Sequence, residues 1–154
     1  DQVIFAKDEV LTGAGKPFSV FTPYRNAWLK ALTDFHLKAY PVARYAGALA
    51  PLPPQPLPTL DDLGFAPTNL RALAVPLGSA GAQQLIDDFL PRIDAYDQAR
   101  NYPAVRGPSY LSVHLRFGTV SVRQLARLAH ERAQQGSSGA ATWLSELVWR
   151  DFYQ

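Results

Sequence analysis

Residues 140–154, AATWLSELVWRDFYQ, carry the clearest structural signal in the sequence. Apolar side chains recur in it at helical spacing, which predicts a helix from Ala140 to the end of the sequence. One face of this helix would point to the core and consists of Leu144, Leu147, Val148 and Phe152. A second face, which we call the Glu146 stripe, consists of Glu146, Trp149, Arg150 and Tyr153 at i, i+3, i+4 and i+7.

The Glu146 stripe has two interpretations. In the first, the stripe binds a planar, phosphorylated ligand. The indole would stack on the ligand, the guanidinium would pair with an anion, and the carboxylate would fix a ring nitrogen. Alternatively, Glu146 pairs with Arg150 one turn away, and the two aromatic side chains pack on a neighbouring part of the protein. The residues alone leave both interpretations open.

Upstream of this helix, the sequence from Ser79 onward predicts further helices joined by short loops. Ser79 is placed to cap a helix that Pro91 bends. The apolar positions of that helix are Leu85, Ile86, Phe89, Leu90, Ile93 and Tyr96. A shorter helix over residues 109–117 closes at Gly118, and Ser121 caps the next one. These patterns predict a C-terminal half that is entirely helical.

A second candidate site surrounds Tyr96 and Arg100, which lie one helical turn apart. The loop that follows, residues 106–112, reads RGPSYLS and leads into a helix start. Backbone N–H groups and two serine hydroxyls there form a generic anion site, although capping by Ser109 is the simpler explanation. His114 lies near these serines without a nucleophile-elbow pattern, so we interpret it as a packed helix residue.

The first half of the chain carries fewer helical signals. Residues 3–6 predict a short buried strand, residues 18–21 an extended segment and residues 25–40 an amphipathic helix. The aromatic side chains of that helix expected in the core are Trp28, Phe35 and Tyr40. Residues 51–58 contain five prolines and predict a stiff connector, and residues 60–76 continue as irregular chain.

Composition excludes several classes of protein. The 154 residues are 47% hydrophobic and 18% charged, which suits one ordered domain and argues against disorder. The absence of cysteine excludes disulfides and cysteine-ligated metals, and three scattered histidines suggest no metal site. We expect a cytoplasmic protein without a membrane span. Because the sequence lacks methionine and stops within a helical pattern, we also expect an excerpt of a longer chain.

Four motifs in the sequence resemble those of the photolyase/cryptochrome family, and most of all those of bacterial cyclobutane pyrimidine dimer photolyases. The motifs are VFTPY (20–24), YxxxRNxPA (96–104), SxLSxHLRFG (109–118) and WxxELxWRDFY (143–153). They cover nearly the whole chain in the family's order. The resemblance implies a central part of a longer protein with three regions. These are the end of an α/β antenna domain (1–22), an interdomain connector (23–78) and the first part of an all-helical FAD-binding domain (79–154).

The resemblance implies cofactor contacts for individual residues. Tyr96, Trp143 and Arg150 match positions that contact FAD. The loop that would hold the FAD phosphates consists of Pro108, Ser109, Tyr110, Leu111 and Ser112. Pro108 departs from the family pattern, which usually has threonine there, and this departure removes one hydroxyl and one N–H. A second antenna chromophore, folate or deazaflavin, is implied for the full-length protein.

The resemblance also implies a catalytic pair at a pocket shared by the flavin and the damaged bases. Glu146 would hydrogen-bond a pyrimidine of the dimer, and Trp149 would flank it. The residues expected to contact DNA are Arg100, Glu146, Trp149, Arg150 and Tyr153. We therefore expect the Glu146 stripe to face that pocket.

The activity that the resemblance implies is light-driven repair of pyrimidine dimers in DNA, by electron transfer from reduced FAD in a monomeric, nucleoid-associated protein. The isolated segment would be inactive. One alternative is a cryptochrome-type flavin photoreceptor without repair activity. The other is a helical module that binds DNA or protein through arginines and holds no flavin.

Overall fold

The computed structural model describes residues 2–40 and 42–154, without the side chains of residues 70 and 71. Over these ranges the chain forms helices and no strand, which confirms the predicted helical character of the fold. The α-helices are α1 (Phe21–Ala31), α2 (Asp34–Leu37), α3 (Gly78–Phe89), α4 (Tyr96–Ala99), α5 (Ser112–Phe117), α6 (Val122–Gln134) and α7 (Ser138–Phe152). The 3-10 helices are Val42–Ala48, Leu70–Leu73 and Leu90–Ala95. Among the described helices, none combines the length and the apolar character needed to cross a bilayer.

The chain divides into two compact units. The first combines the residues up to Ala39 with Pro76–Gln154, and the second is Tyr40–Val75. The predicted domain boundaries after residues 22 and 78 concern a longer protein and stay a prediction. Asp1, where the first predicted domain begins, and Pro41, within the predicted connector, lie outside the described residues.

Helices α6 and α7 form the centre of the first unit. Small, fully buried side chains let their backbones approach closely, and these are Ala126, Ala129 and Ala140. Three residues of the predicted core face of α7 are buried, namely Leu144, Leu147 and Val148. Phe152 is partly buried and packs against the same core. Helix α1 packs against α7 and inserts Trp28, which is 0% exposed.

The predicted single helix over residues 25–40 is wrong, because two shorter helices occupy this region. Helix α1 already begins at Phe21 and ends where Leu32 adopts an extended conformation. Thr33 then caps α2 together with His36, whose Nδ1 accepts the Thr33 backbone N–H at 3.1 Å. This break turns Phe35 away from the core and leaves it 65% exposed; Tyr40, in the second unit, is exposed as well.

The predicted strand over residues 3–6 is also absent. Ile4 and Phe5 are buried, as a strand would require, but their backbone N–H groups donate to the side chain of Asp151. A carboxylate on α7 thus satisfies the donors that a neighbouring strand would otherwise take. The predicted extended segment over residues 18–21 ends where α1 begins.

Two of the three serine caps predicted from the sequence are wrong. Helix α3 begins at Gly78 after Leu77, whose carbonyl already accepts the N–H of Gly81, so Ser79 lies inside the first turn. Helix α5 begins at Ser112 after Leu111, so Ser109 caps nothing. Ser121 does cap α6, and Gly118 closes α5 with a φ of 66°, as predicted. The bend predicted at Pro91 corresponds to the 3-10 helix Leu90–Ala95.

The second unit, Tyr40–Val75, buries none of its described side chains. The proline-rich stretch over residues 51–58 forms neither helix nor strand, as its composition predicts. Local order comes from Thr59, whose backbone N–H and hydroxyl both donate to Asp62 Oδ2, at 2.8 and 2.6 Å. These bonds lower the pKa of Asp62.

Candidate functional site

Arg100, at the end of α4, brings three predicted site residues together. Its Nη1 donates to Glu146 Oε1 on α7 at 2.5 Å, and its guanidinium carbon lies 5.4 Å from the centre of the Tyr96 ring. The hydrogen bond to Glu146 raises the pKa of Arg100. The side chains of Arg100 and Glu146 are 34% and 36% exposed, so this pair lies at the surface and remains accessible to a charged partner.

The close approach of α7 to the 3-10 helix Leu90–Ala95 sets the position of Glu146. A Cβ atom at Gly139 would lie 2.2 Å from the carbonyl oxygen of Ile93, so the packing requires a glycine there. One residue earlier, Ser138 Oγ donates to Asp97 Oδ2 of α4 at 3.0 Å. These contacts fix α7 against α4 and place Glu146, two turns further along, beside Arg100.

Tyr96 and Trp143, both predicted to contact FAD, share one aromatic neighbour. The ring of Phe89 lies 4.8 Å from that of Trp143 and meets the ring of Tyr96 edge-on at 5.8 Å. Trp143 is only 4% exposed, and burial raises the pKa of Tyr96. The sequence assigned Phe89 only to the core, so the structure adds it as the link between these two residues.

The predicted phosphate loop, Pro108–Ser112, has backbone donors to offer. Within the part of the chain that the structure describes, no hydrogen bond is donated by the backbone N–H groups of residues 109–112. Tyr110 adopts a left-handed conformation with a φ of 57°, and its side chain is exposed. Leu111 anchors the loop, since its side chain is buried in the core. Unbonded donors on an anchored loop suit an anionic ligand.

Trp149 stacks on an aromatic residue from the first helix. The centres of the Phe21 and Trp149 rings are 3.5 Å apart, and their planes differ by 6°. Tyr153, one turn further along α7, lies nearly parallel to the same indole at 5.4 Å and is 76% exposed. The aromatic members of the Glu146 stripe therefore pack on neighbouring residues, as the second interpretation of the stripe expects.

Arg150 does not form the ion pair with Glu146 that the second interpretation expects. Its Nε donates to the backbone carbonyl of Gln2 at 3.1 Å, and its Nη2 donates to the Leu115 carbonyl at 3.1 Å and to the Gln2 side chain. The intrahelical pair is not formed, because Glu146 binds Arg100 instead. Arg150 thus links α7 to α5 and to the start of the chain.

Asp151 is an important residue that the sequence analysis missed. It is 7% exposed, and its carboxylate accepts the backbone N–H groups of Ile4 and Phe5 and the indole N–H of Trp28, the last at 2.8 Å. Burial raises the pKa of Asp151, although these donors oppose the shift. The signal in the sequence is its position three residues after Val148, which places an acid on the core face of the helix.

Comparisons with known proteins show what the chain as a whole is similar to. No family model matches the chain. Deoxyribodipyrimidine photo-lyases from Escherichia coli and Vibrio cholerae are 36% and 38% identical to it over its whole length. The crystal structure of a class III photolyase from Agrobacterium tumefaciens matches 98% of the chain with a TM-score of 0.75 and 25% identity.

The chain spans about one third of the length of these relatives, which is 32% of the Escherichia coli protein and 33% of the Vibrio cholerae protein. The chain is therefore similar, along its whole length, to one third of a photolyase, and its helical fold is similar to the corresponding part of a photolyase structure. The relatives named here are photolyases and not cryptochromes, so the comparisons give the cryptochrome alternative no support.

Proposed function

We propose that this chain is the part of a light-dependent DNA repair enzyme that holds the phosphates of FAD and one side of the damaged-base pocket. The observation that carries the proposal is the similarity to deoxyribodipyrimidine photo-lyases along the whole chain. The full-length protein would act on DNA that contains pyrimidine dimers. The full-length protein would also bind a second, light-harvesting chromophore.

The residues present fit FAD at the predicted phosphate loop. Phosphate oxygens need hydrogen-bond donors, and the N–H groups of residues 109–112 donate to no described group of the chain. Pro108 contributes no N–H, so the loop would bind through Ser109 and the residues after it. Tyr96 and Trp143 would form an apolar wall beside the cofactor. When bound, FAD supplies an electron donor that light can excite.

Glu146 and Arg100 would act together on the DNA. Arg100 occupies Oε1 of Glu146, and no described residue bonds to Oε2, which leaves that oxygen to accept a hydrogen bond from a pyrimidine. The Arg100 guanidinium has further N–H groups that can bind a DNA phosphate. The ion pair would therefore orient the carboxylate before the damaged base arrives. Photolyases extrude their target from the duplex, so such preorganisation supports the capture of a flipped base.

Trp149 would form the stacking side of the same pocket. Phe21 packs on the indole and holds its orientation, while the ring remains partly exposed. Stacking of a base on an aromatic ring contributes about 1–3 kcal/mol. Exposed Tyr153 would extend this aromatic surface towards the DNA, and Arg150, engaged with Gln2 and Leu115, would keep α7 in place.

The test is light-dependent dimer reversal by the full-length protein with Glu146→Ala. We expect the repair yield to fall at least about tenfold while the FAD content stays unchanged, because the substitution removes a base contact and no phosphate contact. The matched control is Glu131→Ala, which removes an exposed carboxylate from α6. A yield unchanged by Glu146→Ala, or a complete protein without flavin, would contradict the proposal.

A further inference from the structure

Arg92, in the 3-10 helix Leu90–Ala95, contacts the backbone at the start of the Pro108–Ser112 loop and just before it. No sequence motif indicates these contacts. Its Nη1 donates to the backbone carbonyls of Gly107 at 3.0 Å and Pro108 at 3.1 Å, and also to that of Arg106. One guanidinium nitrogen therefore gathers three consecutive carbonyl oxygens. The Nη1 group carries two hydrogens, which these three oxygens share, and the other nitrogens of the guanidinium remain for a second partner.

The other side of the Arg92 guanidinium is anchored to α3. Its Nη2 donates to Asp88 Oδ2 at 2.7 Å, and its Nε donates to the Asp88 carbonyl at 3.2 Å. Arg106 approaches the same carboxylate oxygen at 3.2 Å. Both arginines lower the pKa of Asp88, chiefly through the hydrogen bond from Arg92. Asp88 on α3 thus fixes the guanidinium of Arg92, which can therefore hold the Pro108–Ser112 loop in one position.

The contact between Arg92 and the Pro108 carbonyl determines where the N–H of Ser109 points. The chain has no cis peptide bond among the described residues, so the C=O and N–H of each peptide unit point in opposite directions. When Arg92 binds the Pro108 carbonyl, the N–H of Ser109 must face away from Arg92. The N–H of Gly107 already bonds to the Val105 carbonyl at 2.7 Å, so Ser109 is the first residue after it whose N–H is available to a ligand.

Gly107 restrains the loop from the opposite side. A Cβ atom there would lie 2.6 Å from the backbone of Ala99, so the loop is packed directly against the end of α4. The loop is therefore held between Arg92 on one side and the α4 backbone on the other.

We infer that Arg92 is a positioning residue that presents the N–H groups of the Pro108–Ser112 loop to the phosphates of FAD. This inference rests on the proposed function. Arg92 itself touches neither phosphate nor flavin ring and acts through the loop carbonyls. Its guanidinium carbon also lies 5.2 Å from the centre of the Phe89 ring, where the side chain of a methionine can still pack. Replacement by methionine should therefore weaken a ligand that carries phosphates and spare one that lacks them.

The experiment compares FAD with riboflavin, which has the same flavin ring without phosphates. Dissociation constants for both are measured by flavin fluorescence on the full-length apoprotein, with Arg92→Met and with Arg92→Lys, which keeps the charge without the fork. For Arg92→Met we expect the FAD constant to rise about tenfold or more and the riboflavin constant to stay within about twofold. Arg92→Lys should lie between Arg92→Met and the unsubstituted protein, because an ammonium cannot reach Asp88 and three carbonyls together.

The matched control is Arg132→Met. Arg132 pairs with Asp94, which lies in the same 3-10 helix as Arg92. Arg132 makes no described contact with the loop. Its substitution should leave both constants unchanged. An FAD constant unaffected by both Arg92 variants, or an equal loss of FAD and riboflavin, would overturn the inference while leaving the proposed function intact. Failure of the unsubstituted protein to bind FAD would overturn both.

Discussion

Asp151 shows how much one side chain contributes to this fold. Its carboxylate is the only described acceptor for the N–H groups of Ile4 and Phe5 and for the indole of Trp28, three groups that are themselves buried. Buried donors without partners are costly, so the residue joins the start of the chain, α1 and α7 at one point. Burial disfavours the negative charge of the Asp151 side chain, and it therefore raises the pKa of this residue.

We predict that Asp151→Ala lowers the free energy of unfolding of the complete protein by about 3 kcal/mol or more, because it leaves three buried donors unpaired. Urea unfolding followed by circular dichroism measures this. The control is Asp87→Ala, which removes an exposed carboxylate of α3 and should change stability by less than about 0.5 kcal/mol. If the two substitutions changed the free energy of unfolding equally, the hydrogen bonds to Asp151 would not stabilise the fold as proposed.

The same substitution should have a pH-dependent effect of known sign. The pKa of Asp151 in the folded protein lies above its ordinary value of 3.8. Its contribution to stability is therefore fully present below about pH 3.8 and declines as the pH rises through the folded pKa. The loss of stability caused by Asp151→Ala should be larger at pH 4 than at pH 7.

At the scale of the elements, α7 is positioned by the smallest residue on it. Gly139 lets the helix backbone approach the carbonyls of Ile93 and Asp94 closely, and this approach fixes the first turn of α7. Ser137 caps the helix just before this point, since its Oγ accepts the N–H of Ala140 at 3.1 Å. The Arg100–Glu146 pair is thus a consequence of how the first turn of α7 packs.

We predict that Gly139→Ala destabilises the protein by about 2–3 kcal/mol, because a methyl group there would overlap the Ile93 carbonyl and push α7 outwards. Differential scanning calorimetry of the complete protein measures this. Gly13→Ala is the matched control, because a Cβ at residue 13 meets nothing within 4 Å and should leave the melting temperature almost unchanged. A melting temperature that Gly139→Ala leaves unchanged would mean that α7 tolerates displacement.

Local signals in the sequence predicted the helix boundaries at Gly118 and Ser121 correctly, whereas the caps predicted at Ser79 and Ser109 were wrong. Gly118 closes α5 in the left-handed region, and Ser121 caps α6 with its own hydroxyl. The strand over residues 3–6 was wrong, since an apolar run predicts burial but does not reveal which group takes the backbone hydrogen bonds. That information lies in Asp151, far away in the sequence.

The sequence and the resemblance named candidate site residues, but they did not indicate which of these residues contact each other. Periodicity and motif placed Glu146, Trp149 and Arg150 on one stripe, yet each meets a different element of the chain. Spacing along one helix cannot indicate that Arg100 rather than Arg150 binds Glu146, because that choice depends on how α4 and α7 pack. The contacts of Arg92 were invisible for the same reason, since its partners are backbone carbonyls that any residue would carry.

At the scale of the whole molecule, the two units differ in how they are stabilised. The first has a continuous apolar core, while the second, Tyr40–Val75, exposes large apolar side chains such as Leu52 and Leu57. Few buried contacts oppose local opening of the second unit, and proteases cut where the backbone opens most readily.

We therefore predict that limited proteolysis of the 154-residue chain cuts first between Tyr40 and Val75. Thermolysin suits the measurement because it cleaves beside apolar residues, and mass spectrometry of the first fragments locates the cuts. Sites within α6 or α7 serve as the internal control and should be cleaved much later. First cuts within those two helices would contradict the division into a stabilised and an unstabilised unit.

The hydrogen bonds to Asp151 join residues 147 and 146 positions apart, and this separation matters while the protein is being made. Ile4 and Phe5 leave the ribosome before Asp151, which at ordinary rates of translation follows roughly 7–30 seconds later. During that interval the two amides lack the Asp151 carboxylate, and the side chains that belong in the core stay uncovered. A nascent chain of this protein thus offers the segment around Ile4 and Phe5 to chaperones until α7 leaves the exit tunnel.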